Sequence, residues 1–321
     1  MWVQMSELGS PIPRERGFEM TTATERPDAA PREDLLARHP LVSFFLLTFV
    51  FSWVYWGLWK ALQLPESLFV VGVAGPTVSA FLVLAITSGK PGVLGLLRSY
   101  VHWRVGVQWY LVTLIGFPVL MLLAFVVLPG SLADFVAPDW SFVPFYLSQF
   151  AITLFIPPRG PLLEEGGWRG FALPRLQRLH GPLMGTLILG ALWGLWHGPF
   201  YFGPLSLTGP DATFVSTGFA FVEYLIGATG FAVVMTWVFN NTGGSVLMAI
   251  LLHTSIDVAF AFAVLFPSAK TDLSPSSFGT LGIAIAASIA ALVIIVATRG
   301  ELSYERYQRE VDLPARSATV Q

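Results

Sequence analysis

Residues 217–239 read TGFAFVEYLIGATGFAVVMTWVF, an apolar run whose only charged side chain is Glu223. An α-helix needs about 20 apolar residues to cross the hydrocarbon core of a bilayer, so this run predicts a membrane span. Comparable runs occupy 41–62, 68–87, 107–129, 142–163, 184–203, 245–267 and 278–298. The sequence therefore predicts an all-α, polytopic membrane bundle of about eight transmembrane helices.

The composition agrees with a chain that faces lipid over most of its surface. Of the 321 residues, 54% are apolar and 12% are charged, whereas soluble domains carry about 25% charged residues. Charges are most frequent towards the two ends. We therefore predict a disordered cytoplasmic tail at 1–39, the transmembrane bundle at 40–299 and a cytoplasmic tail at 300–321. The lack of a basic cluster argues against a nucleic-acid partner, and the lack of Cys excludes disulfides and a Cys nucleophile.

The distribution of Lys and Arg predicts the orientation. With eight spans, both tails lie on the same side of the membrane. That side holds every Lys and Arg except Lys60 and Lys270. Loops rich in Lys and Arg stay in the cytoplasm, so both termini are predicted to be cytoplasmic.

Three local patterns place ionisable side chains in or beside these spans, where such groups are costly and by default indicate function. The first is EEGGWR at 164–169. On a helix Glu165 and Arg169 lie four residues apart and can pair, whereas Glu164 points about 100° away and is left without that partner. Two adjacent carboxylates in different environments can give one general base. The alternative is an interfacial helix with ordinary surface acids.

The second pattern is Trp193 with His197, and the third is His253 with Asp257, each four residues apart on one helix face. The ring of Trp193 can pack against the imidazole of His197. Asp257 can hold one tautomer of His253, or both can bind a metal. Taken alone, His197 could be a packing residue, and His253 with Asp257 a structural pair.

Two His and several carboxylates on three different spans are better explained by a shared site in the bundle, which could activate water with or without a metal. Glu223 lies outside the three patterns and is a second-rank candidate. A proton- or cation-coupled transporter is the first alternative, because buried His and acidic residues suit it equally well. A catalytically silent membrane scaffold is the second. Signatures of other hydrolases, such as His-Glu-x-x-His or Gly-x-Ser-x-Gly, do not occur.

These motifs, with GWRGF at 167–171 and WGLWHGP at 193–199, resemble the CPBP intramembrane protease family over about 145–265. This family is also known as the Abi or type II CAAX endopeptidase family. The resemblance implies an all-α membrane endopeptidase, in a bacterial-type plasma membrane, with a site open to the cytosol. Its substrate would be a peptide or membrane protein, including a lipidated C-terminal tail. The lipid bilayer is the other partner.

Carried over by motif position, the resemblance implies that Glu164 activates water with assistance from His197. His253 and Asp257 would hold the oxyanion or a metal, while Glu165, Arg169 and Trp193 support them. If a divalent metal such as zinc takes part, its ligands would be His197, His253, Glu164 and Asp257. Asp257 departs from members that have Asn at this position. An Asn side chain can donate a hydrogen bond to an oxyanion, whereas an ionised Asp cannot.

Overall fold

The computed structural model describes residues 35–127, 132–133, 135–155, 160–203, 205–208, 211–266 and 281–312. Most of the predicted tail at 1–39 lies outside these residues, as do parts of the predicted spans at 107–129, 142–163, 245–267 and 278–298. The helices are α1 Leu35–Arg38, α2 Pro40–Ala61, α3 Val70–Val73, α4 Gly75–Thr87, α5 Gly89–Tyr100, α6 Val107–Leu111, α7 Phe117–Val127, α8 Phe142–Phe155, α9 Pro161–Gly167, α10 Leu173–His180, α11 Pro182–Trp196, α12 Phe214–Asn241, α13 Val246–Val258, α14 Ile283–Thr298 and α15 Tyr304–Asp312. Short 3₁₀ and π-helical turns connect several of them, and no strand occurs in the described part of the chain.

The predicted fold class is confirmed: the protein is a polytopic helical membrane protein. Each predicted apolar run contains helix, but only α2 and α12 are single helices long and apolar enough to cross a membrane, within the ranges given above. The run at 68–87 bends by 43° between Glu66–Val73 and α4. A π-helical turn, Val112–Gly116, lies between α6 and α7. These two spans are therefore composite rather than straight.

The predicted span at 142–163 is broken at its proline-rich end. Helix α8 ends at Phe155, and α9 begins with Pro161. Proline lacks an N–H and cannot continue a helix, but it is well suited to the first position of a new one. Gly160 precedes it with φ of +98°, a conformation that L side chains rarely adopt. The new helix carries Glu164 and Glu165 into the interior of the bundle, where both are buried.

Small residues allow the helices around these carboxylates to approach closely. A Cβ at Gly190 would lie 2.8 Å from Cα of Thr229, and one at Gly194 would lie 2.6 Å from Cδ2 of Leu225. The end of α11 is thereby held against the middle of α12. Helix α9 packs in the same way on α4, because a Cβ at Gly167 would meet the backbone of Pro76. Helix α13 packs against both α8 and α9.

A buried pair of amides fixes the other end of α12. The side chains of Gln177 and Asn240 exchange hydrogen bonds of 3.1 and 2.8 Å, and Asn240 Nδ2 also donates to the carbonyl of Leu302 at 2.9 Å. These bonds join α10, α12 and the segment before α15. The region predicted as a tail at 300–321 therefore includes a helix that packs on the bundle, where Tyr307 contacts Phe239 with ring centroids 5.6 Å apart.

Candidate active site

Trp193, in the last turn of α11, lies at the centre of the predicted site. Its indole N–H donates to Glu164 Oε2 at 3.0 Å. Its ring is edge-on to His253 at a centroid distance of 5.2 Å and to His197 at 5.9 Å. The guanidinium of Arg169 lies 4.4 Å from the centroid of the same ring. One buried indole thus contacts residues from all three sequence patterns.

Glu165 joins Arg169 and His253. Its Oε1 accepts from Arg169 Nη1 at 2.9 Å and from His253 Nδ1 at 2.7 Å. Glu165 and Arg169 have no exposed surface, and the predicted pairing of these two residues is present in the structure. Charge-assisted hydrogen bonds of this kind are stronger than neutral ones, and the second bond fixes the orientation of the His253 ring.

Glu164 lies next to this ion pair but has different contacts. It is in the first turn of the helix, where the partial positive charge of the N-terminus favours a carboxylate. Oε2 accepts the Trp193 N–H, and Oε1 lies directly over Gly160, where a Cβ would overlap it. The sequence left Glu164 without a partner, so the bond from Trp193 was not predicted. Glycine at 160 leaves room beside the second oxygen.

The tautomer of His197 follows from its hydrogen bond. Its Nδ1 is 2.9 Å from the carbonyl oxygen of Trp193, and a carbonyl oxygen can only accept. Nδ1 therefore carries the proton, which leaves Nε2 of the neutral ring as an acceptor. The rings of Trp196, Phe200 and Tyr224 surround the imidazole at centroid distances of 4.9, 6.1 and 5.2 Å. His197 therefore faces protein rather than lipid.

Asp257 is further from the ring that it was predicted to orient. Its Oδ1 lies 3.7 Å from His253 Nε2, and its side chain is 32% exposed. Glu165, at 2.7 Å from Nδ1, is the closer carboxylate. The orienting contact that the sequence assigned to Asp257 is thus made by Glu165, because α9 packs against α13 on the Nδ1 side.

The residues predicted as metal ligands are arranged in hydrogen bonds with protein groups. Across the described ranges, no group of three or more His, Asp and Glu side chains has the geometry to hold a metal ion. Nδ1 of His253 is hydrogen-bonded to Glu165, and Nδ1 of His197 is hydrogen-bonded to a backbone carbonyl. One oxygen of Glu164 accepts the Trp193 N–H. A metal-ligating histidine commonly makes such a bond through its other ring nitrogen, so these contacts are compatible with either mechanism.

Sequence reasoning missed Tyr224, on α12. Its ring contacts His197, and its phenol lies within electrostatic range of Glu164 and Asp257. The phenol makes no hydrogen bond to any residue that the structure describes. Glu223, the neighbouring second-rank candidate, lies near the phenol of Tyr201 instead. Nothing in the sequence distinguishes Tyr224 from the other aromatic residues of this apolar run.

A buried carboxylate, a tautomer-fixed imidazole and a second carboxylate–imidazole pair inside a helical bundle define a class of membrane-embedded hydrolase sites. Residues 146–259 match the family model described as type II CAAX prenyl endopeptidase Rce1-like. The chain is also 22% identical over 235 residues to CAAX prenyl protease 2 of Methanococcus maripaludis, a match that covers 67% of this chain and 82% of that protein. These findings support the CAAX protease family for the matched segment, and they support a membrane protease. The resemblance drawn from the three motifs is confirmed, and the transporter alternative is not favoured.

Proposed function

We propose that this protein hydrolyses a peptide bond inside the membrane with a water molecule activated by Glu164 and His197. The observation that carries the proposal is the contact of both residues with Trp193. The indole N–H holds one oxygen of Glu164, and the carbonyl of the same residue holds Nδ1 of His197. One residue therefore sets the positions of a proton acceptor and a second hydrogen-bond acceptor for water.

The reaction can be written with these residues alone. Water attacks the scissile carbonyl carbon and transfers a proton to Glu164, while His197 Nε2 accepts the other water hydrogen as a hydrogen bond. The carbonyl oxygen becomes an oxyanion. Collapse of the tetrahedral intermediate breaks the carbon–nitrogen bond, and Glu164 returns its proton to the leaving amine. No step is routed through a metal.

The oxyanion needs donors, and the chain offers two. His253 Nδ1 bonds to Glu165, which turns Nε2 towards the site, and Nε2 donates when the ring is protonated on both nitrogens. An ionised Asp257 can only accept, so it cannot replace the amide of an Asn at this position. We propose that the phenol of Tyr224 supplies the second donor. A donor aimed at the developing oxyanion is typically worth about a hundredfold or more in rate.

Glu164→Gln tests the general base. The amide oxygen of Gln can still accept the Trp193 N–H, so the variant should fold and should lose cleavage of a peptide substrate by at least about a hundredfold. The matched control is Glu301→Gln, which changes an exposed carboxylate outside the site. Purified protein in detergent, with products identified by mass spectrometry, gives the measurement. Substantial cleavage by Glu164→Gln would refute the assignment.

We propose that the substrate is a membrane-anchored C-terminal tail, including a prenylated one. The name of the Methanococcus maripaludis relative, CAAX prenyl protease 2, and the depth of the site within an apolar bundle support this. The test compares one peptide with and without a farnesyl group on its Cys. A higher kcat/KM for the lipidated form is expected. Equal values would refute the lipid part of this proposal but not the peptidase activity.

We also propose that both termini face the cytoplasm of a bacterial-type plasma membrane. Helix α10, which carries Arg175 and Arg178, meets the end of α12 and the segment before α15 at one end of the bundle, through Gln177, Asn240 and Leu302. Arg175, Arg178, Arg299 and Arg306 therefore belong to one end. The positive-inside rule assigns such an end to the cytoplasm.

A further inference from the structure

A pocket lies between α10 and α15, away from the candidate active site. Its volume is about 260 Å³, and its wall includes Arg175, Arg178, Tyr304, Tyr307 and Gln308. We call it the α10–α15 pocket. It is a polar pocket at the end of the bundle where α10 and α15 meet.

The charges around this pocket are unbalanced. Neither Arg175 nor Arg178 makes an ion pair within the part of the chain that the structure describes, and no acidic residue is among those that line the pocket. Burial, followed by the positive charge of Arg178, lowers the pKa of Arg175 to about 10. Two arginines of like charge beside one cavity repel each other unless an anion lies between them.

Two other arginines at this end, both in α15, are each paired with an acidic residue. Arg306 lies 2.8 Å from Glu310, and Arg309 lies 3.8 Å from Glu305, both within α15. Arg175 is positioned differently, since its Nη1 donates to the carbonyl of Phe171 at 2.8 Å and its guanidinium lies 3.7 Å from the centroid of the Phe171 ring. The guanidinium is thus held in place with most of its N–H donors still available.

The pocket lies at the level expected for phospholipid headgroups. Arg178 is four residues before Pro182, which begins the apolar helix α11, and Tyr304 follows shortly after the apolar helix α14 ends. Close in sequence to the pocket's arginines, Leu179 and Met184 are large apolar side chains with 65% and 55% exposure. Polar donors in the pocket and exposed apolar side chains on the adjoining helix turns match a ligand with an anionic head and acyl chains.

We propose that the α10–α15 pocket binds the phosphate of an anionic phospholipid headgroup. The guanidinium of Arg175 presents its remaining N–H donors to the phosphate oxygens, with Arg178 as the second cation. Basic pockets between helices at the headgroup level are suited to anionic lipids, whose negative charge also concentrates at that surface. The proposal does not depend on the peptidase mechanism.

Native mass spectrometry of the full chain in detergent tests the proposal, with dioleoyl phosphatidylglycerol as the probe and dioleoyl phosphatidylcholine as the neutral comparison. The wild-type protein should retain phosphatidylglycerol in preference to phosphatidylcholine. Arg175→Gln/Arg178→Gln should lose that preference, whereas the matched control Arg306→Gln/Arg309→Gln should keep it. Loss of a charge-assisted contact should weaken binding by about tenfold.

Two results would overturn the proposal. One is a double Arg175/Arg178 variant that still prefers phosphatidylglycerol as the wild type does. The other is displacement of the bound lipid by millimolar inorganic phosphate, which would assign the pocket to free phosphate. If the double variant does not fold, Arg178→Gln alone decides, because Arg178 is exposed and has no packing role to lose. An unchanged lipid preference in that single variant would refute the proposal.

Discussion

Glu164→Gln and Glu165→Gln should separate catalysis from stability, although the two residues are adjacent. Glu165 Oε1 accepts charged hydrogen bonds from Arg169 at 2.9 Å and from His253 at 2.7 Å, and neither Glu165 nor Arg169 has exposed surface. Removing one partner of a buried ion pair costs about 3–5 kcal/mol, because the remaining charge stays buried. A Gln can still accept a hydrogen bond, so we expect Glu165→Gln to lower the free energy of unfolding by about 3 kcal/mol.

The expected loss is large compared with a net stability of about 5–15 kcal/mol for a folded domain. Glu165→Gln should lower Tm by about 4–5 °C, taking an unfolding entropy of about 2.1 cal/mol/K per residue over the 321 residues. Glu164→Gln should melt close to wild type because its bond from Trp193 survives. Thermal melting in detergent, followed by size-exclusion chromatography, measures both. Equal melting temperatures for the two variants would refute the separation of roles derived from these contacts.

Three further experiments have defined outcomes. Asp257→Asn should retain cleavage without stoichiometric metal in the purified protein, whereas joint loss of metal and activity would support a metal mechanism. Tyr224→Phe should lower kcat by about a hundredfold with little change in KM, while Tyr201→Phe, its neighbour outside the proposed oxyanion site, should have a small effect. A Cys introduced at Ser67 should react with an impermeant thiol reagent in intact cells, and one at Ser88 should not. The reverse labelling would contradict the predicted orientation.

The fold class and the three motifs that carry the site residues could be predicted because both depend on local patterns. Apolar runs of helical length required a membrane bundle, and the four-residue spacing of Glu165 and Arg169 anticipated their ion pair. The bends and the break before Pro161 could be placed only approximately. The sequence marks Pro and Gly residues as helix breakers, but the angle depends on which neighbouring helices receive the two halves.

Long-range contacts could not be predicted, since they depend on how helices pack. The bond from Glu165 to His253 joins residues 88 positions apart, and the bond from Trp193 to Glu164 joins residues 29 positions apart. Both require α9 to pack beside α11 and α13, an arrangement that no local sequence pattern specifies. Tyr224 was missed for the same reason, because an aromatic residue in an apolar helix gives no indication of which ring it will meet.

The depth of the site limits the substrates that it can reach. His253 follows Ser245, the N-cap of α13, by eight residues, which corresponds to about 12 Å of helical rise. An extended peptide covers about 3.3 Å per residue, so a substrate that enters from this end needs about four extended residues to reach His253. A compact folded domain cannot supply them without unfolding. A free C-terminal tail can, and a lipid on that tail would keep it at the bilayer surface while the backbone enters the bundle. The position of His253 within α13 is therefore compatible with the proposed tail substrate, independently of the residues that perform the hydrolysis.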